Sequence, residues 1–246
     1  MQRSRSAATG AFWAGLILCS SLGLSGTAAR RPGPIWKSAT VRLALDGEPR
    51  CLGVRTAPNV VLTAQHCVQE PGSRAPLSAE RLRITAAGAP SPLKALGVEL
   101  SRPAAYSGLS DLLGTDVARV RVGARTNGYL ARGAIRASAL FAVHWAGDAL
   151  HLQRVRVRSV GAREIYVSPA VEPGDSGGPL LGPDGAVVGI ASWRSSLDDG
   201  RGSTSAYTRV DLDAPNPFGQ RRVPISSHSD PDTAEATSPV GLRATR

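Results

Sequence analysis

The sequence predicts an all-β chain, and three observations carry that reading. Apolar and polar residues alternate along short runs, the two-residue period of strands with one buried face. Turn-formers are dense, because 27 Gly and 18 Pro among 246 residues break the chain about once in every five or six positions. That spacing leaves no stretch for long helical bundles. At 42% hydrophobic and 20% charged, the composition suits a globular protein with one or two cores, and it excludes full disorder and a fibrous repeat.

Strands begin after residue 38. Ala39–Leu45 alternates, Asp46-Gly47-Glu48-Pro49 turns the chain, and Cys51–Arg55 and Val60–Ala64 follow as apolar runs. Arg81–Thr85, Ala95–Leu100 and Val117–Val122 continue the pattern. Residues 123–133, rich in Gly and Ala with Thr126-Asn127-Gly128 inside, make the best linker between two halves. A second series then runs through Ala134–Val143, Val155–Val160, Glu164–Val167, Ala186–Trp193 and Ala206–Val210, with Gly182-Pro183-Asp184-Gly185 as a hairpin turn. Each half is long enough for a small barrel. The expected units are an N-terminal barrel in 30–125, a C-terminal barrel in 126–222, and a tail at 223–246 whose Ser, Asp, Thr and Pro predict disorder.

The first residues read as an address. Met1-Gln2-Arg3-Ser4-Arg5 is cationic, residues 11–24 are mostly apolar, and Gly26-Thr27-Ala28-Ala29 supplies small residues for cleavage, so 1–29 is expected to be a secretory signal peptide. The alternatives are a permanent signal anchor, for which the apolar core is short and diluted by Gly and Ser, and a lipoprotein, for which Leu18 before Cys19 is the wrong residue. The mature chain is then expected in a secreted or periplasmic compartment, free of the membrane and monomeric.

Formal charge is +10, with 29 basic residues of which only Lys37 and Lys94 are lysines; this arginine bias is consistent with a bacterium of high-GC genome. A basic balance admits an acidic partner, a membrane surface or nucleic acid. Against nucleic acid, no basic run is interleaved with aromatics. The densest cluster, Arg154, Arg156 and Arg158, alternates with Val155 and Val157 as the solvated face of a strand would.

With Cys19 lost alongside the signal, Cys51 and Cys67 remain as an even pair in an oxidising compartment, which predicts one disulfide. The alternative is two ligands of a metal site, but the CxxC spacing and a nearby second histidine are both missing.

Three segments carry chemistry. Thr63-Ala64-Gln65-His66-Cys67 ends an apolar run in a histidine, Asp116 opens an alternating strand, and Gly174-Asp175-Ser176-Gly177-Gly178-Pro179-Leu180 presents a serine among glycines. A serine hydroxyl attacks an amide only when an imidazole takes its proton and a carboxylate fixes that imidazole's tautomer. Glycines beside the serine let the backbone turn sharply, so the amides of Gly174 and Ser176 can point at one developing oxyanion. Asp111 competes with Asp116 for the carboxylate role, but it opens no strand. Gly174–Gly178 also fits the nucleophile elbow of α/β-hydrolases; that fold needs its histidine after the serine, and His228 in the tail is the only one there.

These segments, in the order His, Asp, Ser, resemble the catalytic motifs of the chymotrypsin-like (trypsin-fold) serine proteases, from about residue 38 to Val210. Ser192-Trp193 is similar to that family's Ser-Trp strand beside the substrate, Ala206–Val210 to its final barrel strand, and His144-Trp145-Ala146-Gly147 to an altered Gly-Trp-Gly strand. His144 and His151 themselves are expected to be surface or packing residues. The resemblance implies two antiparallel six-stranded β-barrels with the active site in the cleft between them, His66 and Asp116 from the first and Ser176 from the second. It implies a serine endopeptidase acting on protein or peptide substrates through an acyl-enzyme, without cofactor or metal. Cys51 and Cys67 fall where the family bridges its histidine loop, and Ser192 where a hydroxyl binds the triad carboxylate. The non-enzyme alternative is a catalytically inactive binding module of the same fold.

The sequence departs from the family at several points. No Ile-Val-type terminus precedes residue 40, so Asp175 is expected to pair with an internal arginine and not with a new amino terminus. No cysteine follows Cys67 to staple the second barrel. The position six before the serine, the base of the family's specificity pocket, is Ala170. With Val171, Ser192 and Ser205 as neighbouring wall positions, the pocket offers a substrate cation no counter-ion, which predicts preference for neutral, small or medium side chains. A shift of one or two positions would put Glu172 there and restore a basic preference. Arg194 stands after Trp193, where the family commonly has glycine, and it could narrow the cleft or attract an acidic residue.

Overall fold

The computed structural model describes residues 31–70, 75–89, 91–101, 115–123, 128–195, 203–211 and 218. The expected signal peptide, the expected tail at 223–246 and Asp111 lie outside them. Twelve strands form two closed antiparallel barrels. In the first, β1 (Thr40–Leu45), β2 (Glu48–Ala57), β3 (Val60–Thr63), β4 (Leu82–Ala86), β5 (Leu93–Leu100) and β6 (Ala118–Val122) close in the order β1-β2-β3-β6-β5-β4. In the second, β7 (Ala139–Ala146), β8 (Ala149–Val160), β9 (Glu164–Ser168), β10 (Pro179–Leu181), β11 (Val187–Ser195) and β12 (Thr204–Arg209) close as β7-β8-β9-β12-β11-β10. The two orders are the same permutation. His66 follows the third strand of one barrel and Ser176 the third strand of the other, so equivalent loops carry the two residues.

Local chemistry explains most boundaries. Asp46 and Gly47 have φ of 52° and 94°, the paired left-handed conformation of a two-residue hairpin turn, which brings β2 in at Glu48 instead of Cys51. β7 and β8 form one long hairpin turning at Gly147-Asp148, where the sequence shows two separate strands; residues 149–154 escape notice because their polar members outweigh their alternation. β10 is only three residues long, all buried, too short for any period. Residues 134–138 form no strand, and β7 starts at Ala139.

Three apolar clusters account for the core. One fills the first barrel around Val41, Leu43, Val61, Ile84 and Val120, and another fills the second around Leu140, Val155, Ile165, Leu180 and Tyr207. The third joins them: Val54 and Leu62 of the first barrel pack with Phe141, Leu181 and Ile190 of the second, and Trp36 and Leu130 from the connecting segments complete it. Each fully buried Leu, Ile or Phe contributes about 1.5–3 kcal/mol. This seam fixes the barrels against each other, and the loops after β3 and β9 meet at its rim.

Candidate active site

The histidine is set by a short turn. After β3, Gln65–Cys67 form one turn of 3-10 helix, and the Cys51–Cys67 disulfide ties that turn back to β2. His66 Nδ1 lies 2.8 Å from Asp116 Oδ2, and the His66 backbone N–H donates to Asp116 Oδ1 at 3.0 Å. Both carboxylate oxygens are thereby engaged by one residue. A carboxylate at Nδ1 selects the tautomer with the proton there and leaves Nε2 with a lone pair. The carboxylate is largely covered at 17% exposure while the imidazole is 46% exposed. Asp116 is held at the entry to β6 by Val117, fully buried, and by Ser101, whose hydroxyl donates to the Thr115 carbonyl and whose N–H donates to Val117 O at 3.1 Å. Cys51, His66 and Cys67 lie within 4.8 Å of one another, but the disulfide uses both sulfurs and leaves one ligand, too few for a metal.

The serine loop is locked onto the histidine's barrel through its backbone. Ser176 O accepts the Leu52 N–H of β2 at 2.8 Å; within the second barrel, Gly177 N–H donates to Ala191 O of β11 at 2.8 Å, and Gly178 N–H closes the loop on Asp175 O at 2.8 Å. Gly177, at φ +80°, rests directly on the Leu52 carbonyl and Thr63 Oγ1, with its missing Cβ position 3.0 Å from Ala64 N. Only a glycine lets the serine loop approach that closely to the strand end that carries His66. Gly174 is also left-handed, at φ +96°, but stands in open space. Among the described residues, the amides of Gly174 and Ser176 donate to no acceptor. Ser176 Oγ likewise has no hydrogen bond to the His66 ring, a contact that substrate-free sites commonly leave long.

Residues 51–190, more than half the chain, match the model of the family described as "Trypsin-like peptidase domain". The chain belongs to the trypsin-like peptidase family. Among solved structures it is similar to one described as "Structure of Glu endopeptidase in complex with MPD", with TM-score 0.57 and 17% identity over 74% of this chain and 88% of that one. No curated protein matches it by sequence. The double barrel expected from the motifs is therefore the fold of this trypsin-like peptidase, and the predicted disulfide is present.

Two expectations are corrected. Asp175, 2% exposed, pairs with no arginine among the described residues: Oδ1 accepts the Trp145 N–H at 2.9 Å and Oδ2 the Glu172 N–H at 3.0 Å. Two backbone donors satisfy a buried carboxylate without a second charge to desolvate. Burial nonetheless pushes the Asp175 carboxyl above its ordinary value, partly offset by these amides and by His144 nearby. Ser192 does not reach Asp116. A bulge between Ala191 and Trp193 turns its hydroxyl inward, where it lies 2.7 Å from Thr208 Oγ1.

The expected pocket wall comes together only in part. Ala170, Val171, Ser192 and Ser205 are buried, and the Ser205 hydroxyl accepts the Val171 N–H at 3.0 Å. Glu172 and Arg194 are exposed and approach at 3.4 Å, a loose surface pair. Trp193 meets Tyr166 edge-on at 6.1 Å, and the Tyr166 hydroxyl is pushed up to about 12, by burial first and then by the Glu164 carboxylate that accepts from it at 2.6 Å. His144 and His151 are cross-strand partners with ring centroids 5.4 Å apart, in keeping with a packing role. Sequence reasoning missed Trp145 as the holder of Asp175 because its backbone, not its side chain, makes the bond. It also missed the crowding at Gly177, for which the flanking Gly178 was the available signal.

Proposed function

We propose that this trypsin-like peptidase is a serine endopeptidase that works by acyl transfer, with Ser176 as nucleophile. His66 Nε2 takes the Ser176 Oγ proton as Oγ bonds to the scissile carbonyl carbon, and it returns that proton to the departing amine. Water then repeats the sequence on the acyl-enzyme and restores the serine. Asp116 orients the imidazole and stabilises it when charged, and the amides of Gly174 and Ser176 receive the oxyanion. The observation that carries this reading is the two-point grip of Asp116 on His66, 2.8 and 3.0 Å, with the imidazole left half-exposed. An inactive module has no use for a tautomer-selecting carboxylate. A Ser176→Ala protein that melts like wild type and hydrolyses casein several orders of magnitude more slowly is the expected result; unchanged hydrolysis refutes the assignment.

Specificity follows from the wall residues. With Ala170 and Val171 apolar, and the hydroxyls of Ser192 and Ser205 already bonded inside the barrel, neutral small or medium side chains before the scissile bond are preferred. Glu172 turns toward Arg194, which argues against a basic preference. Dominant cleavage after Arg or Lys in a peptide-library digest, lost in Glu172→Gln, would reverse this. The disulfide and the apolar leader together support export to a secreted or periplasmic compartment, with the mature chain acting as a monomer on protein or peptide. No helix among the described residues is long and apolar enough to cross a membrane.

A further inference from the structure

Beside the serine loop opens a second cleft, of about 250 Å³, whose lining includes Arg42, Arg50, Leu52, Trp145 and Gly174. It shares Gly174 with the serine loop and contains none of Ala170, Val171, Ser192, Trp193, Arg194 or Ser205, so it is a separate wall of the site. Leu52 connects it directly to the nucleophile, since its N–H donates to Ser176 O at 2.8 Å.

Neither arginine has the carboxylate partner that some others in the described residues have. Arg81, Arg119, Arg194 and Arg209 each have a carboxylate within 4 Å. Arg42 has none among the described residues; its guanidinium lies 4.7 Å over the Trp145 ring. That ring is itself fixed, with Nε1 donating to Gly147 O at 2.7 Å and the Trp145 amide holding Asp175. Arg50 makes one long contact, Nη2 to His66 O at 3.5 Å, and also has no acid partner among the described residues. No acidic residue lines the cleft. Four acids adjoin the lining along the chain, and none is paired with these arginines: Glu48 and Asp148 are exposed, Glu172 faces Arg194 at 3.4 Å, and Asp175 is buried on the Trp145 and Glu172 amides. Two guanidiniums, one preorganised by stacking, thus flank a concavity one hydrogen bond from Ser176 without neutralising charge. Their planar forks suit a carboxylate.

We propose that this cleft selects substrates with an Asp or Glu side chain within the first three residues after the scissile bond. The inference rests on the peptidase reading, which puts the residues before that bond against the Ala170 wall and leaves the Arg42 and Arg50 wall to the leaving segment.

The test compares peptides that differ only in Asp against Asn at each of those three positions. At low salt kcat/KM favours Asp at one position by about fivefold, the scale of a partly enclosed ion pair. The preference shrinks as salt rises. It falls below about twofold in Arg50→Gln, and further in Arg42→Gln/Arg50→Gln. Arg154→Gln/Arg156→Gln, with the same loss of charge elsewhere, keeps it. Fluorescence anisotropy of the same labelled peptides on Ser176→Ala protein gives the matching ratio of Kd values without turnover. If no peptide is cleaved, the peptidase reading fails while the Kd ratio still decides this inference. Equal Kd and kcat/KM for Asp and Asn in the unaltered cleft, or a preference that survives in Arg50→Gln, overturns it.

Discussion

Replacing Gly177 with Ala separates two costs that the site imposes on its backbone. The residue sits at φ +80°, where an L side chain costs about 1–2 kcal/mol. A Cβ there would also overlap the Leu52 carbonyl and Thr63 Oγ1 and lie 3.0 Å from Ala64 N. Two of these three neighbours are backbone atoms, Leu52 O in β2 and Ala64 N just past the end of β3, and Thr63 Oγ1 is committed to Leu52 O at 2.6 Å. The overlap is relieved only by moving the serine loop off the first barrel, an overpacking cost of about 1–3 kcal/mol. The sum, about 2–5 kcal/mol, corresponds to a fall of roughly 10 °C in Tm for a domain of this size. Gly174→Ala is the control. At φ +96° it has the same backbone strain, but nothing lies within 4 Å of its Cβ position, so its cost stops at about 1–2 kcal/mol. Thermal melts by circular dichroism on both variants decide the matter. Equal Tm values for the two, or a Gly177→Ala protein as stable as wild type, would refute the claim that this glycine presses the serine loop onto the histidine's barrel.

Three further outcomes follow from the same geometry. Cys51→Ser/Cys67→Ser should lose about 3 kcal/mol in urea unfolding, from a bridge spanning 16 positions, and intact mass of the wild type should show no free thiol at either site. Asp175→Ala removes from a buried position the acceptor of the part-buried Trp145 and Glu172 amides and should cost about 1–3 kcal/mol in the same assay. Because burial raises the Asp175 carboxyl, the folded chain holds its proton more tightly than the unfolded chain. Its contribution is therefore greatest in acid and declines as pH rises from the unfolded carboxylate value, about 3.9, to the raised folded value. The stability difference between wild type and Asp175→Asn should fall across that window and stay flat above it; a difference that rises there would reverse the sign of the burial effect.

The parts of the fold that could be read from sequence are those with a period or a turn signal. Alternation marks β1, β6 and β11 to within two residues at each end, and Asp46-Gly47 announces its hairpin. β10 is a different case, since Pro179–Leu181 has neither length nor alternation and is a strand only because β7 and β11 flank it. In the site, the residues that show in the sequence act through side chains with distinctive chemistry. His66 and Asp116 meet as their motifs suggest. What escaped is what backbone atoms do: the amides of Trp145 and Glu172 take the place of the expected arginine at Asp175. The Ser192 hydroxyl was misassigned because a one-residue bulge re-aims it, and a bulge depends on both strands of the pair.

The most direct test of the central claim is covalent labelling of Ser176 with a fluorophosphonate probe, read by intact mass and peptide mapping. The account predicts one adduct on wild type, located at Ser176, with labelling lost in Ser176→Ala and slowed by orders of magnitude in a folded His66→Ala protein. Labelling at wild-type rate in His66→Ala, or an adduct on any residue other than Ser176, would contradict it.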